Sequence, residues 1–238
     1  GVKYATEFHM TNDSKLFPPR LKWEERGYRP DEYGHWLKGP WQAYKGPANI
    51  IARDPALVLS RDGLQALRID EVVDVALPLF QGGMVNIYDK NASGYIVKVS
   101  AQATWQAMEF NAKEVLPQYL ISRQACVDRG DRYTAGLKLA FRDIARNTDM
   151  RSAIGSLVSG FPCGNTLGVF SGATESIAAV GFAFSTIAFD WLVRKRLGGT
   201  HINLFVAEEC AVTTAFRIGL QDYVKPLLGL VFPDHTSA

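Results

Sequence analysis

Cysteine, histidine and net charge are all scarce in this chain of 238 residues. Its three cysteines, Cys126, Cys163 and Cys210, are widely spaced and odd in number. That excludes a disulfide framework and a paired CxxC zinc pattern. Free thiols suit a cytoplasmic protein. The four histidines, His9, His35, His201 and His235, are scattered. They form no HExxH motif and no cluster with cysteine, so a metal centre is not expected. A net charge of +2 is neutral on nucleic acid, because a DNA reader needs a basic face rather than a basic total. The longest apolar run, Ala178 to Val193, is broken by Ser185, Thr186 and Asp190. It is too short and too polar to span a bilayer, so no membrane partner is expected. The first residues lack the apolar stretch of a secretory signal. The chain opens without Met, in strand-like sequence, and is expected to be a piece of a longer protein.

Catalytic signatures are missing as well. No GxGxxG or phosphate-binding loop follows a strand, and no Gly-x-Ser-x-Gly elbow is present. The Asn-Pro-Pro-Tyr tetrad of amino-methylating DNA enzymes is absent. Asp89 and the Glu208-Glu209 pair are acids with no second group beside them in sequence. Direct catalysis by this chain alone is not expected, and no cofactor is expected within it.

What is there is an ordinary folded composition, 47% hydrophobic and 21% charged. Tyr4 to Met10 is predicted as a strand, followed by a Thr11-Asn-Asp-Ser14 turn. Residues 19–76 read as a long excursion or insertion, with one short strand near Trp36-Leu37. Within it, Trp23, Trp36 and Trp41 anchor the excursion to the core or, less simply, stack on bases. Ala48 to Leu59 and Leu64 to Ile69 are predicted strands, and Asp70 to Asp74 a short helix start. Gly82-Gly83 permits a turn or a close approach that a Cβ would block. Residues 100–114 show no clear period, though Trp105, Met108 and Phe110 should be partly buried. Pro117 to Ile121 is a predicted strand. Tyr133 to Ala145 and Met150 to Val158 read as two neighbouring strands joined at Asn147-Thr-Asp149. Thr174 to Gly181 is predicted as a small-residue helix and Phe184 to Arg196 as one clear helix ended by Gly198-Gly199. Ile202 to Val206 is a predicted strand, a helix follows from Thr213, and 213–238 is a tail of uncertain assignment. The fold class is α+β, with a mixed, largely antiparallel sheet and a few packed helices.

Binding chemistry has the better support. Arg142, Arg146 and Arg151 cluster around one predicted hairpin, and guanidinium forks suit phosphate oxygens and guanine edges. The plainer reading pairs them with Asp143, Asp149 or other acids. Lys90 and Asn91 lie in the polar loop after the glycine pair; they either read bases or are simply solvated. Arg194 and Arg196 end the predicted helix, where cations also suit the helix dipole.

Six separated segments carry a resemblance. They are Phe8-His-Met-Thr-Asn-Asp-Ser-Lys-Leu-Phe17, Ala76-Leu-Pro-Leu-Phe-Gln-Gly-Gly-Met84, Pro117-Gln-Tyr-Leu120, Phe141-Arg-Asp-Ile-Ala-Arg-Asn-Thr-Asp-Met-Arg151, Phe161-Pro-Cys-Gly-Asn165 and the run from Phe189 to Phe205. In this order they resemble the TaqI-like, C-terminal target-recognition domain of adenine-specific DNA methyltransferases in type II (IIG-like) restriction-modification systems. The resemblance covers most of the chain, 1–238 as one recognition domain. One departure is Glu208 to Thr214, where the family carries a proline-bearing segment. The resemblance implies double-stranded DNA as a partner. It also implies an N-terminal methyltransferase domain, outside this chain, that uses S-adenosylmethionine, with or without an attached endonuclease. DNA contacts would fall to Arg142, Arg146, Arg151, Lys90, Asn91, Arg194 and Arg196. A protein-interaction module of the same system and a complete small enzyme are the competing readings.

Overall fold

Five consecutive residues, Lys138 to Arg142, are apolar or fully buried except at the last position, which marks a strand covered on both faces. In the computed structural model, which describes residues 1–47, 49, 52–97, 103–202, 206 and 210, this strand lies inside a four-stranded antiparallel sheet. With strands numbered along the chain, the order is β1 (Lys3–Ala5), β13 (Leu167–Ser171), β11 (Lys138–Arg142) and β12 (Gly155–Val158). Alternate side chains of β11 serve two cores. Leu139 and Phe141 join Phe170, Phe184, Phe189 and Val193 beneath the helices α3 (Thr174–Phe184) and α4 (Ile187–Arg196). Ala140 faces the other way, onto Phe80, Met84, Val85, Phe161 and Cys163. The sheet also needs a glycine: a Cβ on Gly168 would sit 2.5 Å from the Phe141 ring, so only hydrogen fits there.

A second antiparallel sheet runs β10 (Leu120–Ser122), β7 (Asp74–Pro78), β3 (Trp36–Lys38), β2 (Arg29–Pro30). A third holds β4 (Gln42–Ala43), β6 (Gln65–Arg68) and β5 (Leu57–Leu59), and β8 (Ser93–Val97) pairs β9 (Ala103–Ala107) as a hairpin. The remaining helices are α1 (Arg20–Glu24) and α2 (Arg123–Asp128). The architecture is therefore α+β with antiparallel sheets. Trp23 and Trp36 are buried with Tyr28, Ala76 and Leu120, so both anchor the 20–48 region to the second sheet.

Segment 161–164 links the first two sheets. Phe80 N–H donates to Pro162 O and Gly164 N–H to Phe80 O, while Phe8 N–H donates to Cys163 O on the opposite side. Behind this strut lies a fully buried ion pair. Lys138 Nζ donates to Glu7 Oε1 and Oε2 at 2.7 and 2.8 Å and to Thr134 O at 2.9 Å. Glu7 also accepts the Thr134 and Cys163 amides, so every charge-bearing atom of the pair is matched. That matching makes the burial of two charges tolerable.

Several predicted elements differ. The strand over Tyr4–Met10 shrinks to Lys3–Ala5, because Asp13 Oδ2 accepts the His9 amide and the His9 ring accepts the amides of Thr11 and Asn12, which curls the chain into a turn. Only Leu57–Leu59 of the 48–59 run is strand among the described residues. Residues Ile69–Glu71 form a 3-10 turn, and Asp74 already begins β7. The aperiodic 100–114 stretch contains β9, and Phe110 is 94% exposed rather than partly buried. The helix predicted over 184–196 starts at Ile187, while Phe184 ends the preceding helix; the two meet at Ser185-Thr186 with a 75° bend. Thr186 Oγ1 accepts the Phe189 amide at 3.1 Å, and a hydroxyl that caps a new helix start competes with continuing the old one. Of the strand predicted at 202–206, residues 203–205 lie outside the described set and Val206 is helical. The tail from 213 also lies outside it. No single helix among the described residues is long and apolar enough to cross a membrane.

Candidate nucleic-acid interface

The two strands predicted around the arginines are shorter than expected: β11 ends at Arg142 and β12 begins at Gly155. Arg146 and Arg151 therefore stand in the connecting loop, not on a strand face. The cause is Asp190 on α4, buried at 4% exposure. Its Oδ1 accepts the backbone amides of Ser152 and Ala153, both at 2.7 Å, which withdraws them from strand pairing. Burial alone would raise the Asp190 carboxyl. The amides of Ala153 and Ser152 and the Arg194 guanidinium outweigh that and hold it below the usual carboxylate range.

Two of the predicted DNA-binding arginines are spent on the same loop. Arg194 Nε donates to Asp190 Oδ2 at 2.8 Å, and its Nη atoms donate to Asn147 O at 3.0 Å and Asp149 O at 2.5 Å. Arg151 Nη2 donates to Ser185 O at 2.9 Å and Thr186 O at 3.3 Å, while its Nε lies 3.4 Å from Asp190. From the other side, Asp143 Oδ2 meets His201 Nδ1 at 2.7 Å. Arg196 is exposed at the end of α4.

Arg142 and Arg146 are placed differently. Both line one cleft of about 420 Å³, together with Gln81, Gly82, Gly83, Trp105, Asp149 and Thr166. Arg142 is half-buried; its Nε donates to Val85 O at 2.9 Å, which fixes the side chain. Burial lowers its pKa, and Asp149 partly opposes that, but a guanidinium stays charged at neutral pH. Arg146 is exposed, and its side chain forms no ion pair with the other described residues.

The cleft floor is the glycine pair. Gly82 N–H donates to Thr166 Oγ1 at 2.9 Å. A Cβ on Gly83 would lie 2.7 Å from the Trp105 indole, so the bare backbone presses against the ring. This is the close approach that the glycines imply in sequence. Gln81, which sequence reasoning passed over, is buried at 8% exposure, and its Oε1 has no hydrogen-bond partner among the described residues. An unmatched carboxamide in a cleft wall is costly and so suggests a ligand. Only its position beside the glycine pair hints at this in sequence.

Lys90 and Asn91 line a separate cavity of about 310 Å³ with Tyr88, Asp89 and Lys113. The seven predicted contacts thus divide: Arg142 and Arg146 share the cleft, Lys90 and Asn91 share this cavity, Arg151 and Arg194 brace the loop that carries Arg146, and Arg196 stands at the end of α4.

No protein-family model, curated protein sequence or solved structure matches the chain.

The remaining reactive groups are quiet. Burial pushes the Cys126 and Cys163 thiols up to about 12, so neither is a thiolate nucleophile at neutral pH. Among the described residues no group of three His, Cys, Asp or Glu side chains could hold a metal ion.

Proposed function

We propose that this chain recognises double-stranded DNA in sequence-specific fashion for an adenine methyltransferase of a restriction-modification system. The catalytic domain, and any endonuclease, lie outside the chain. The observation that carries this reading is the convergence of Arg142, Arg146 and Gln81 on one cleft. Two segments far apart in sequence, 76–84 and 141–151, carry the resemblance, and they supply most of that cleft. Guanidiniums suit phosphate oxygens or guanine edges, and a glutamine carboxamide suits the adenine N6/N7 edge. Phosphate contacts set position and base contacts set sequence.

In this reading S-adenosylmethionine belongs to the other domain. The cleft fits it poorly, since two guanidiniums would repel its sulfonium. The test is titration of labelled duplex with the 238-residue chain at several salt concentrations. Binding that weakens steeply with salt supports the reading. Absence of binding at low salt overturns it.

A second reading, an interaction module without DNA contact, draws on α4. Ile187 and Trp191, one turn apart, are 78% and 57% exposed. Such side chains suit a protein neighbour, and salt-dependent DNA binding would decide against this reading.

A further inference from the structure

The 86–89 turn is built around an unfavourable backbone. Asn86 and Asp89 exchange backbone hydrogen bonds, Asn86 N–H to Asp89 O at 2.7 Å and Asp89 N–H to Asn86 O at 3.1 Å. Between them Tyr88 takes φ of 58°, and it is the one non-glycine residue at positive φ among the described residues. Glycine or asparagine normally occupies such a position, and a bulky residue held there is a pointer to function. The Tyr88 ring is 67% exposed, so no core packing explains its presence.

The cavity beside it has the parts of a nucleotide site. Its volume, about 310 Å³, sits at the lower end of the range of roughly 300–1,000 Å³ for small-ligand pockets. Its apolar wall comes from Leu139, Leu157 and Phe182. Asn91 Oδ1 is buried there without a hydrogen-bond partner among the described residues. Two lysines, Lys90 and Lys113, line it, and Lys113 Nζ is 2.6 Å from Asp89 Oδ2.

We propose that this cavity receives a single unstacked nucleobase, with Tyr88 as the stacking surface, Asn91 on the base edge and the lysine rim toward the phosphate. The inference rests on the DNA reading for its preferred source, an extrahelical nucleotide. A free mononucleotide offers the same chemistry. Base-aromatic stacking, an apolar slot and a polar edge contact are how unstacked bases are held.

The test uses the full chain, wild type and Tyr88→Gly. Glycine accepts the same φ, so this variant keeps the turn and should melt no lower than the parent. Affinities are measured by anisotropy for a fully paired duplex and for one with a single bulged 2-aminopurine, whose fluorescence reports its surroundings. The expected result is a preference for the bulged duplex that falls roughly 10-fold in Tyr88→Gly, with paired-duplex affinity unchanged. Asn91→Ala should reduce the preference in the same direction. Duplex binding with an identical preference in wild type and Tyr88→Gly overturns the inference and leaves the DNA reading intact. If neither duplex binds, the DNA reading fails, and deoxyadenosine monophosphate decides the cavity. Saturable binding lost in Tyr88→Gly makes it a mononucleotide site, and no binding overturns it.

Discussion

Asp190 and Arg194, one turn apart on α4, grip the Arg146 loop from both sides. The carboxylate takes the amides of Ser152 and Ala153, and the guanidinium takes the carbonyls of Asn147 and Asp149. The two residues also bind each other at 2.8 Å. The loop bearing the free arginine is therefore set by a helix rather than by its own hairpin.

Asp190→Ala should destabilise the chain and loosen the cleft together. Two backbone donors lose their acceptor, at ~1–3 kcal/mol each when buried. Urea denaturation measures the loss. Unchanged stability would show that water replaces the carboxylate without cost.

The same residue predicts a pH dependence. Its folded pKa is lowered, so its contribution is present above the unfolded value of about 4 and is lost as pH falls through the folded value. Wild type should therefore lose more stability than Asp190→Asn between pH 5 and about 2. Parallel losses in the two proteins would assign acid sensitivity elsewhere.

Arg146→Ala should leave stability within about 0.5 kcal/mol, since the side chain is exposed and has no ion pair among the described residues. DNA affinity should drop, and the salt slope should fall by about one unit if the contact is to phosphate. Arg142→Ala should weaken DNA binding as well, but at some cost in stability because the tie to Val85 is lost. A salt titration with both variants separates the two effects.

Gln81→Met should trade specificity for stability. It removes a buried acceptor that lacks a partner, so the melting temperature should rise or hold. Discrimination among duplex sequences should relax by ~1–3 kcal/mol at one base pair if the carboxamide reads a base. A variant that keeps full sequence preference would remove Gln81 from the readout.

Lys138→Met should be severe. It strands the Glu7 carboxylate inside the core, and breaking a buried pair from one side costs ~3–5 kcal/mol. Glu7→Gln combined with Lys138→Met should recover part of that loss in denaturant melts.

Local chemistry made some of this legible from sequence alone. The Gly82-Gly83 pair marks a real backbone contact with Trp105, whereas the helical spacing of Phe184, Ile187, Trp191 and Leu192 picks the wrong face, since Ile187 and Trp191 are exposed and Phe189 and Val193 pack the core. Ser185 and Thr186 interrupt the apolar run at the point where the helix bends. Long-range partners hid the rest. Arg142, Arg146 and Arg151 look equivalent in sequence, yet Asp190 and the α3–α4 junction claim one and leave another exposed. The strand from Leu167 to Ser171 has no alternation because both its faces are covered, so period-two patterning could not find it.

The buried Glu7–Lys138 pair also dictates timing. Glu7 is bonded to residues 131 and 156 positions further along the chain. Its charge stays unmatched until Lys138 and Cys163 have both been made, and closing such distant contacts slows folding. Late docking of the amino-terminal strand is the expected order, since its pairing of Lys3–Ala5 with Val169–Ser171 closes across most of the chain.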